Sequence, residues 1–354
     1  IIFQSFCKGS SSAVLFGEMM CKKLKASAVA AVCNKTGAYI AEEMRCRIPA
    51  FNGNRVNLEK HFLKSMAEKE DFNSFITYIK DPRKQLEAFI KEEVERYLST
   101  MENSETQKII RKNTEDIRGA IGQALFETTK DVKKKGGDIE MWVKEFSTKL
   151  GKSLTIDSIT CQDFKDINDF DFLKEEMEKG LNIITEEMSN LSLIEVNKCR
   201  QSPEQILIDQ LCNCCWEICP FCSTVCTNTV KDHSSDKHSA LFHRPRGVNG
   251  VHYTGTDQLS TEFCTTAVAS DGSFYPDDSD RTVLWKEYAT AGERFAAWSI
   301  TPDNSMLPYW KWFVCHFQEK LEEYYRKKFH GNGEIPQQWT MCSKEEAIKS
   351  LDAM

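Results

Sequence analysis

The feature that most constrains this chain is a run of cysteines and histidines just past its midpoint. Cys212, Cys214, Cys215, Cys219, Cys222 and Cys226 are followed by His233, His238 and His243. Cys219-Pro220-Phe221-Cys222 is a C-x2-C pair, a tight turn that lets two thiolates face one ion. His238 and His243 have four residues between them, and fifteen separate Cys222 from His238, close to zinc-finger spacing. A tetrahedral zinc takes four ligands. The spacing predicts Cys219, Cys222, His238 and His243, with Cys226 or His233 as substitutes. Cys212, Cys214 and Cys215 are expected to pack beside them. Ligands in surplus favour a closed, structural Zn2+ site over a catalytic one, which keeps a position open for water.

Other chemistries fail on pattern. The zinc-deaminase signature needs His-x-Glu, and the metalloprotease helix needs His-Glu-x-x-His; the chain has neither. A two-zinc RING-like module would want a second close cysteine pair downstream. The next cysteine after Cys226 is Cys264, alone, so that module is not expected. Gly151-Lys152-Ser153 mimics the end of a P-loop, but Phe146 stands where the pattern needs glycine. Asn34-Lys35-Thr36-Gly37 lacks the final Asp of a guanine-reading motif.

Charge and length narrow the classes further. The 354 residues carry a formal net charge of -7, which argues against a chain-wide nucleic-acid or anionic-membrane footprint. His243-Arg244-Pro245-Arg246, with Lys231 and Lys237, forms a small basic patch. It leaves a zinc-dependent nucleic-acid-binding module as one alternative, with a zinc-dependent enzyme as another. No stretch approaches the roughly 18 apolar residues of a transmembrane helix. The chain opens Ile1-Ile2-Phe3 without an initiator Met or a signal peptide. It reads as an excised piece of a longer cytosolic protein, where clustered cysteines bind metal more often than they form disulfides. The scattered cysteines, including Cys7, Cys33, Cys161 and Cys315, read as small core residues.

Residues 1–205 read as helical. Ala13–Glu43 is rich in helix formers, Asn52-Gly53-Asn54 is a break, and helices are expected through Leu58–Met66 and Phe72–Ile79. Asp81-Pro82 is a helix start. Leu86, Phe89, Ile90, Val94, Tyr97 and Leu98 then recur on one face. Ile109, Ile110, Ile117, Ile121, Leu125 and Phe126 form the next stripe, ending at Lys133-Lys134-Lys135-Gly136-Gly137. Asp138 caps a helix holding Met141, Trp142, Phe146 and Leu150, and another runs from about Asp169 to Leu191. Beyond Cys212 the texture turns loop-rich. Phe263–Ala269 has strand composition, with Ser273–Tyr275 as its expected partner. Leu307–Phe329 reads as one helix, and Ser343-Lys-Glu-Glu346 as a capping box. The expected fold is mainly α: an elongated helical bundle or stalk over 1–205, a small zinc-stabilised α+β module over 206–285, and a C-terminal helical region over 286–354.

Longer motifs carry a resemblance. They include Cys215-Trp-Glu-Ile-Cys-Pro-Phe-Cys222, Cys226-Thr-Asn-Thr229, His238-Ser239, Phe242-His-Arg-Pro245 and Asn249-Gly250. Phe263-Cys-Thr-Thr266, Val268-Ala-Ser-Asp-Gly-Ser-Phe274, Trp298-Ser-Ile-Thr-Pro-Asp303, Pro308-Tyr-Trp-Lys-Trp-Phe-Val-Cys315, Gly333-Glu-Ile-Pro336 and Gln338-Trp339 follow. Upstream, Tyr78-Ile-Lys-Asp-Pro82 and Asn197-Lys-Cys-Arg-Gln-Ser-Pro-Glu204 fit too. Together they resemble the C-terminal part of the interferon-induced very large GTPase family. The resemblance implies a cytoplasmic or also nuclear protein of innate immunity. It implies a dynamin-superfamily-like domain upstream that binds GTP and is absent from this chain. By analogy with dynamin-superfamily stalks, this region is expected to be non-catalytic and to support self-association or protein partners.

Overall fold

In the computed structural model, residues 2–101, 103–151, 154, 161–233, 236–276 and 281–353 are described. The side chain of Cys7, and residues Lys152 and Ser153 of the P-loop mimic, lie outside the described residues. The helices run α1 (Ile2–Arg47), α2 (Arg55–Lys69), α3 (Phe72–Lys80), α4 (Pro82–Thr100), α5 (Asn103–Lys135), α6 (Ile139–Leu150), α7 (Phe170–Ser189), α8 (Leu193–Asn197) and α9 (Pro203–Leu211). After the cysteine-rich segment come α10 (Cys264–Ala267), α11 (Glu293–Ala296), α12 (Pro308–His316), α13 (Gln318–Tyr325) and α14 (Lys344–Ser350). Strands β1 (Ser273–Phe274) and β2 (Val283–Leu284) pair antiparallel. The fold is mainly α, as the periodicity predicts.

The chain forms two compact units, each assembled from two stretches: 1–44 with 94–206, and 45–93 with 207–354. In the first unit the local signals act as read. Asp138 accepts the Met141 backbone N–H and Asp169 that of Phe172, starting α6 and α7. Gly137 N–H returns to Val132 O and Gly136 N–H to Lys133 O, with Gly136 left-handed at φ 62°, which closes α5 in a Schellman turn. The stripes bury as one core. Phe16, Met20, Leu24 and Val32 of α1 meet Ile110, Ile117, Ile121 and Leu125 of α5, Trp142 and Phe146 of α6, and Leu173, Met177 and Leu181 of α7. Trp142 stacks on Phe146 at 4.9 Å and meets the Phe16 edge at 6.3 Å. Phe126, expected on the buried stripe, is exposed instead. It follows Leu125, so the helix turns it about 100° off the core face. Cys21, Cys33 and Cys161 are buried as small core residues, whereas Cys315 is only partly buried.

In the second unit a helical platform carries the loop-rich segment. Phe75 of α3 packs against Phe313 of α12 at 4.6 Å, Tyr309 donates to Leu63 O at 2.6 Å, and Trp310 Nε1 donates to Phe242 O at 3.1 Å. Asp81 accepts the Lys84 N–H at the start of α4, and Ser343 with Glu346 forms the capping box of α14. Two readings change. Phe263–Ala269 is not a strand: Ala267 and Val268 donate back to Phe263 and Cys264 in a helical turn, and β1 pairs with β2 instead. The β-branched composition is overridden by what surrounds Cys264. Leu307–Phe329 is two helices, broken at Phe317 and stopped at Arg326, whose φ is 53°.

Candidate metal centres

The geometry begins with a hairpin. Ile218 bridges Val225 antiparallel, Cys219 N–H donates to Thr224 O at 2.8 Å, and Cys226 N–H donates to Glu217 O at 2.8 Å. At its tip Ser223, left-handed at φ 55°, donates to Cys219 O at 2.9 Å and closes the knuckle. Cys219 and Cys222 therefore share the tip, while Cys215 and Cys226 share the base. One hairpin presents two cysteine pairs at its two ends.

Each pair gains two more ligands. His238 is held by an extended pairing in which its N–H donates to Ala297 O at 2.8 Å and its carbonyl accepts from Ser299 at 2.7 Å. This brings it to the base pair, with His233 beside it; the two rings lie 4.6 Å apart, edge to face. At the tip, Pro245 bridges Phe263, and Arg246 N–H donates to Glu262 O at 3.0 Å. That pairing delivers Cys264, at the start of α10, to the side of His243. The result is two groups of four: Cys215, Cys226, His233 and His238, and Cys219, Cys222, His243 and Cys264. Within each group the donor atoms all lie within 4.8 Å of one another.

The spacings test whether an ion fits. Tetrahedral zinc with Zn–S of about 2.3 Å and Zn–N of about 2.0–2.1 Å separates two sulfurs by about 3.8 Å, and sulfur from nitrogen by about 3.6 Å. At the base, Cys215 Sγ lies 3.6 Å from His238 Nδ1, and Cys226 Sγ 3.7 Å from His233 Nε2. At the tip, Cys222 Sγ is 3.2 Å and Cys264 Sγ 3.1 Å from His243 Nδ1; Cys264 is 3.6 Å from Cys222 and 4.0 Å from Cys219. These sulfurs are too far apart for disulfides. Both donor sets can hold a metal ion.

Electrostatics sharpen the fit. Burial pushes the Cys215 thiol up to about 11 and raises Cys264 and Cys219 as well. Burial also pushes Cys222 up, but hydrogen bonds from Cys219 and Cys264, with His243 beside it, hold it well below the usual thiol range. His238 is lowered by burial and by His233, which favours the neutral imidazole that metals bind. A thiolate buried among other thiols calls for a cation, and a bound metal inverts the local preference for protons. Asn228 N–H also donates to Cys226 Sγ at 3.4 Å.

Comparison with known proteins bears on the same residues. A family model described as "Interferon-induced very large GTPase 1, C-terminal domain" matches residues 215–351. That span opens on Cys215 and contains all eight donors. Interferon-induced very large GTPase 1 of Mus musculus is 38% identical over 352 residues, covering 99% of this chain and 14% of that protein. Its Homo sapiens counterpart is 36% identical over 353 residues, again covering 99% and 14%. The chain belongs to the interferon-induced very large GTPase family. It spans about 14% of the length of the curated relatives it matches. No solved structure matches it.

The sequence-predicted donors fall into the two groups as follows. Cys219, Cys222 and His243 stand together at the tip, while His238 stands at the base with Cys226 and His233. Sequence spacing alone put His238 and His243 on one ion; the structure sends these neighbours to opposite ends of the hairpin. Cys215 and Cys264 complete the groups and were not expected as donors. Cys215 had a signal: Cys-x3-Cys-x2-Cys-x3-Cys over 215–226 is symmetric about the knuckle, as an antiparallel hairpin requires. Cys264 had none, because it arrives by a tertiary pairing. Cys212 and Cys214 are buried outside both groups, as read. Among the described residues, no helix is long and apolar enough to cross a membrane.

Proposed function

We propose that residues 215–264 bind two structural zinc ions, and that the chain is a non-catalytic assembly or partner-binding module of a very large interferon-inducible GTPase. One ion sits on Cys215, Cys226, His233 and His238, the other on Cys219, Cys222, His243 and Cys264. The observation that carries this reading is the closure of both groups by four protein donors each. A closed tetrahedral site has no position for a substrate or a reactive water, which disfavours a zinc hydrolase. GTP binding and turnover belong, on this reading, to a part of the protein outside this chain.

The donor order supports a structural role. Base, tip, tip, base, base, base, tip, tip is the sequence order of the eight ligands, so each ion closes loops that the other also closes. Two ions thereby fix one fifty-residue segment that has little regular secondary structure. The test is sedimentation of the chain, zinc-loaded and after chelation, beside assays for GTP and phosphoester hydrolysis. Association that requires the metal, with no turnover, is the expected result. Zinc-dependent turnover abolished by His233→Ala in a protein that stays folded would overturn it.

A further inference from the structure

The two candidate centres differ in charge, and their surroundings differ in the complementary sense. A dication on two thiolates and two neutral imidazoles is neutral overall. A dication on three thiolates and one imidazole carries one negative charge. Beside the base group stands Arg55, whose side chain is fully buried and donates to Cys226 O. It brings its own carboxylate: Glu59, also fully buried, pairs with it at 2.5 Å and accepts from Tyr78. Beside the tip group stands Arg244, 1% exposed. Its Nε donates to Cys222 O at 3.0 Å, and its Nη2 to Ser223 O at 2.9 Å and Ile79 O at 3.4 Å. Its guanidinium lies over the rings of Tyr78 and Trp310 at 5.8 and 5.6 Å. Every described acceptor of Arg244 is a neutral carbonyl.

A buried charge left without an opposite charge is strongly destabilising. Arg55 meets that need with Glu59. Among the described residues, Asp303 is an acidic side chain that feels His243 of the tip group, and it is exposed to solvent, while Glu262 is paired with Arg246. We propose that Arg244 is the counter-charge of the three-thiolate centre: its guanidinium, anchored on the carbonyls of Cys222 and Ser223, neutralises the excess negative charge of the metal complex on Cys219, Cys222, His243 and Cys264. This inference rests on the two-ion reading above. It assigns Arg244 a role toward the metal rather than toward a nucleic acid, and removes it from the basic patch. Each buried centre is then neutral together with its arginine: the base with Arg55 and Glu59, the tip with Arg244.

The test is chelator competition on the zinc- and cobalt-loaded chain; the cobalt spectrum distinguishes three-thiolate from two-thiolate coordination. Wild type should hold two ions. Arg244→Met should weaken the tip site by about a hundredfold, the order expected for an unpaired buried charge, and leave the base site within a few-fold. Arg244→Lys, which keeps the charge but loses the fork, should recover most of the affinity. In a Cys264→His background, where the tip complex is neutral, Arg244→Met should cost less than about tenfold. An undiminished cost in that background, or equal weakening of both sites, makes Arg244 a packing residue and overturns the proposal. If Arg244→Met does not fold, Arg244→Gln against Arg244→Lys carries the comparison, and equal affinities overturn it. A wild-type count below two ions fails the two-ion reading itself and this inference with it.

Discussion

Cys264 stands 42 positions beyond Cys222, yet their sulfurs lie 3.6 Å apart. Nothing local predicts that approach; the pairing of Pro245 with Phe263 produces it. The reverse holds for Cys219 and Cys222, whose closeness is written in a four-residue turn. Local turn chemistry is legible residue by residue, and long-range pairing is not. A substitution pair checks the assignment: Cys264→Ser should lower the zinc count by one, and Cys212→Ser, buried outside both groups, should leave it unchanged, by elemental analysis of the purified chain. The scattered thiols predict a pH effect. Burial pushes Cys21 up from 9.0 to about 11, so the folded state keeps its proton more firmly than the unfolded one. Its contribution to stability is whole below pH 9 and is lost as pH climbs through about 11. Urea midpoints at pH 7 and pH 10.5 should differ less in Cys21→Val than in wild type; an identical difference refutes the assignment.

At the level of elements, the helices were the most legible part. Their stripes, the Asp138 and Asp169 caps and the Gly136-Gly137 stop act locally, and local signals survive folding. The failures sit where tertiary pairing decides. Phe263–Ala269 has β composition but lies at the turn that seats Cys264. Leu307–Phe329 keeps an unbroken apolar face, which hides the break at Phe317. Helix contacts in the first unit also carry a prediction. A Cβ at Gly180 of α7 would meet Cys21 Sγ of α1 at 2.4 Å, so the glycine permits close approach of the two helices. Gly180→Ala gains up to about 1 kcal/mol in helix propensity but overpacks this contact, which costs about 1–3 kcal/mol. The net effect should be destabilising in thermal unfolding. Cys21→Ala in the same chain should restore much of the loss, and failure to do so would place the strain elsewhere.

For the molecule as a whole, family membership was readable from long ordered motifs, and the mainly helical class from periodicity. Which helices share a core was not, because periodicity marks an apolar face without naming its partner. Residues 45–93 fold with the cysteine-rich segment, and their Arg55 touches its backbone. The zinc account separates the two units energetically. Structural zinc contributes about 10–16 kcal/mol in small fingers, as much as a whole domain's stability of about 5–15 kcal/mol. The unit of 1–44 and 94–206 has its own packed helical core and no candidate metal group among the described residues. Chelation should therefore raise hydrogen exchange across 207–354 and leave α5, α6 and α7 protected. Equal loss of protection in both units would show that the metal does not act locally. The most direct test of the central claim is a zinc count on the purified chain with two single variants. Two ions in wild type, one in Cys264→Ser and one in His233→Ala are the predicted values; a wild-type count of one or none, or two ions retained in either variant, would contradict the account.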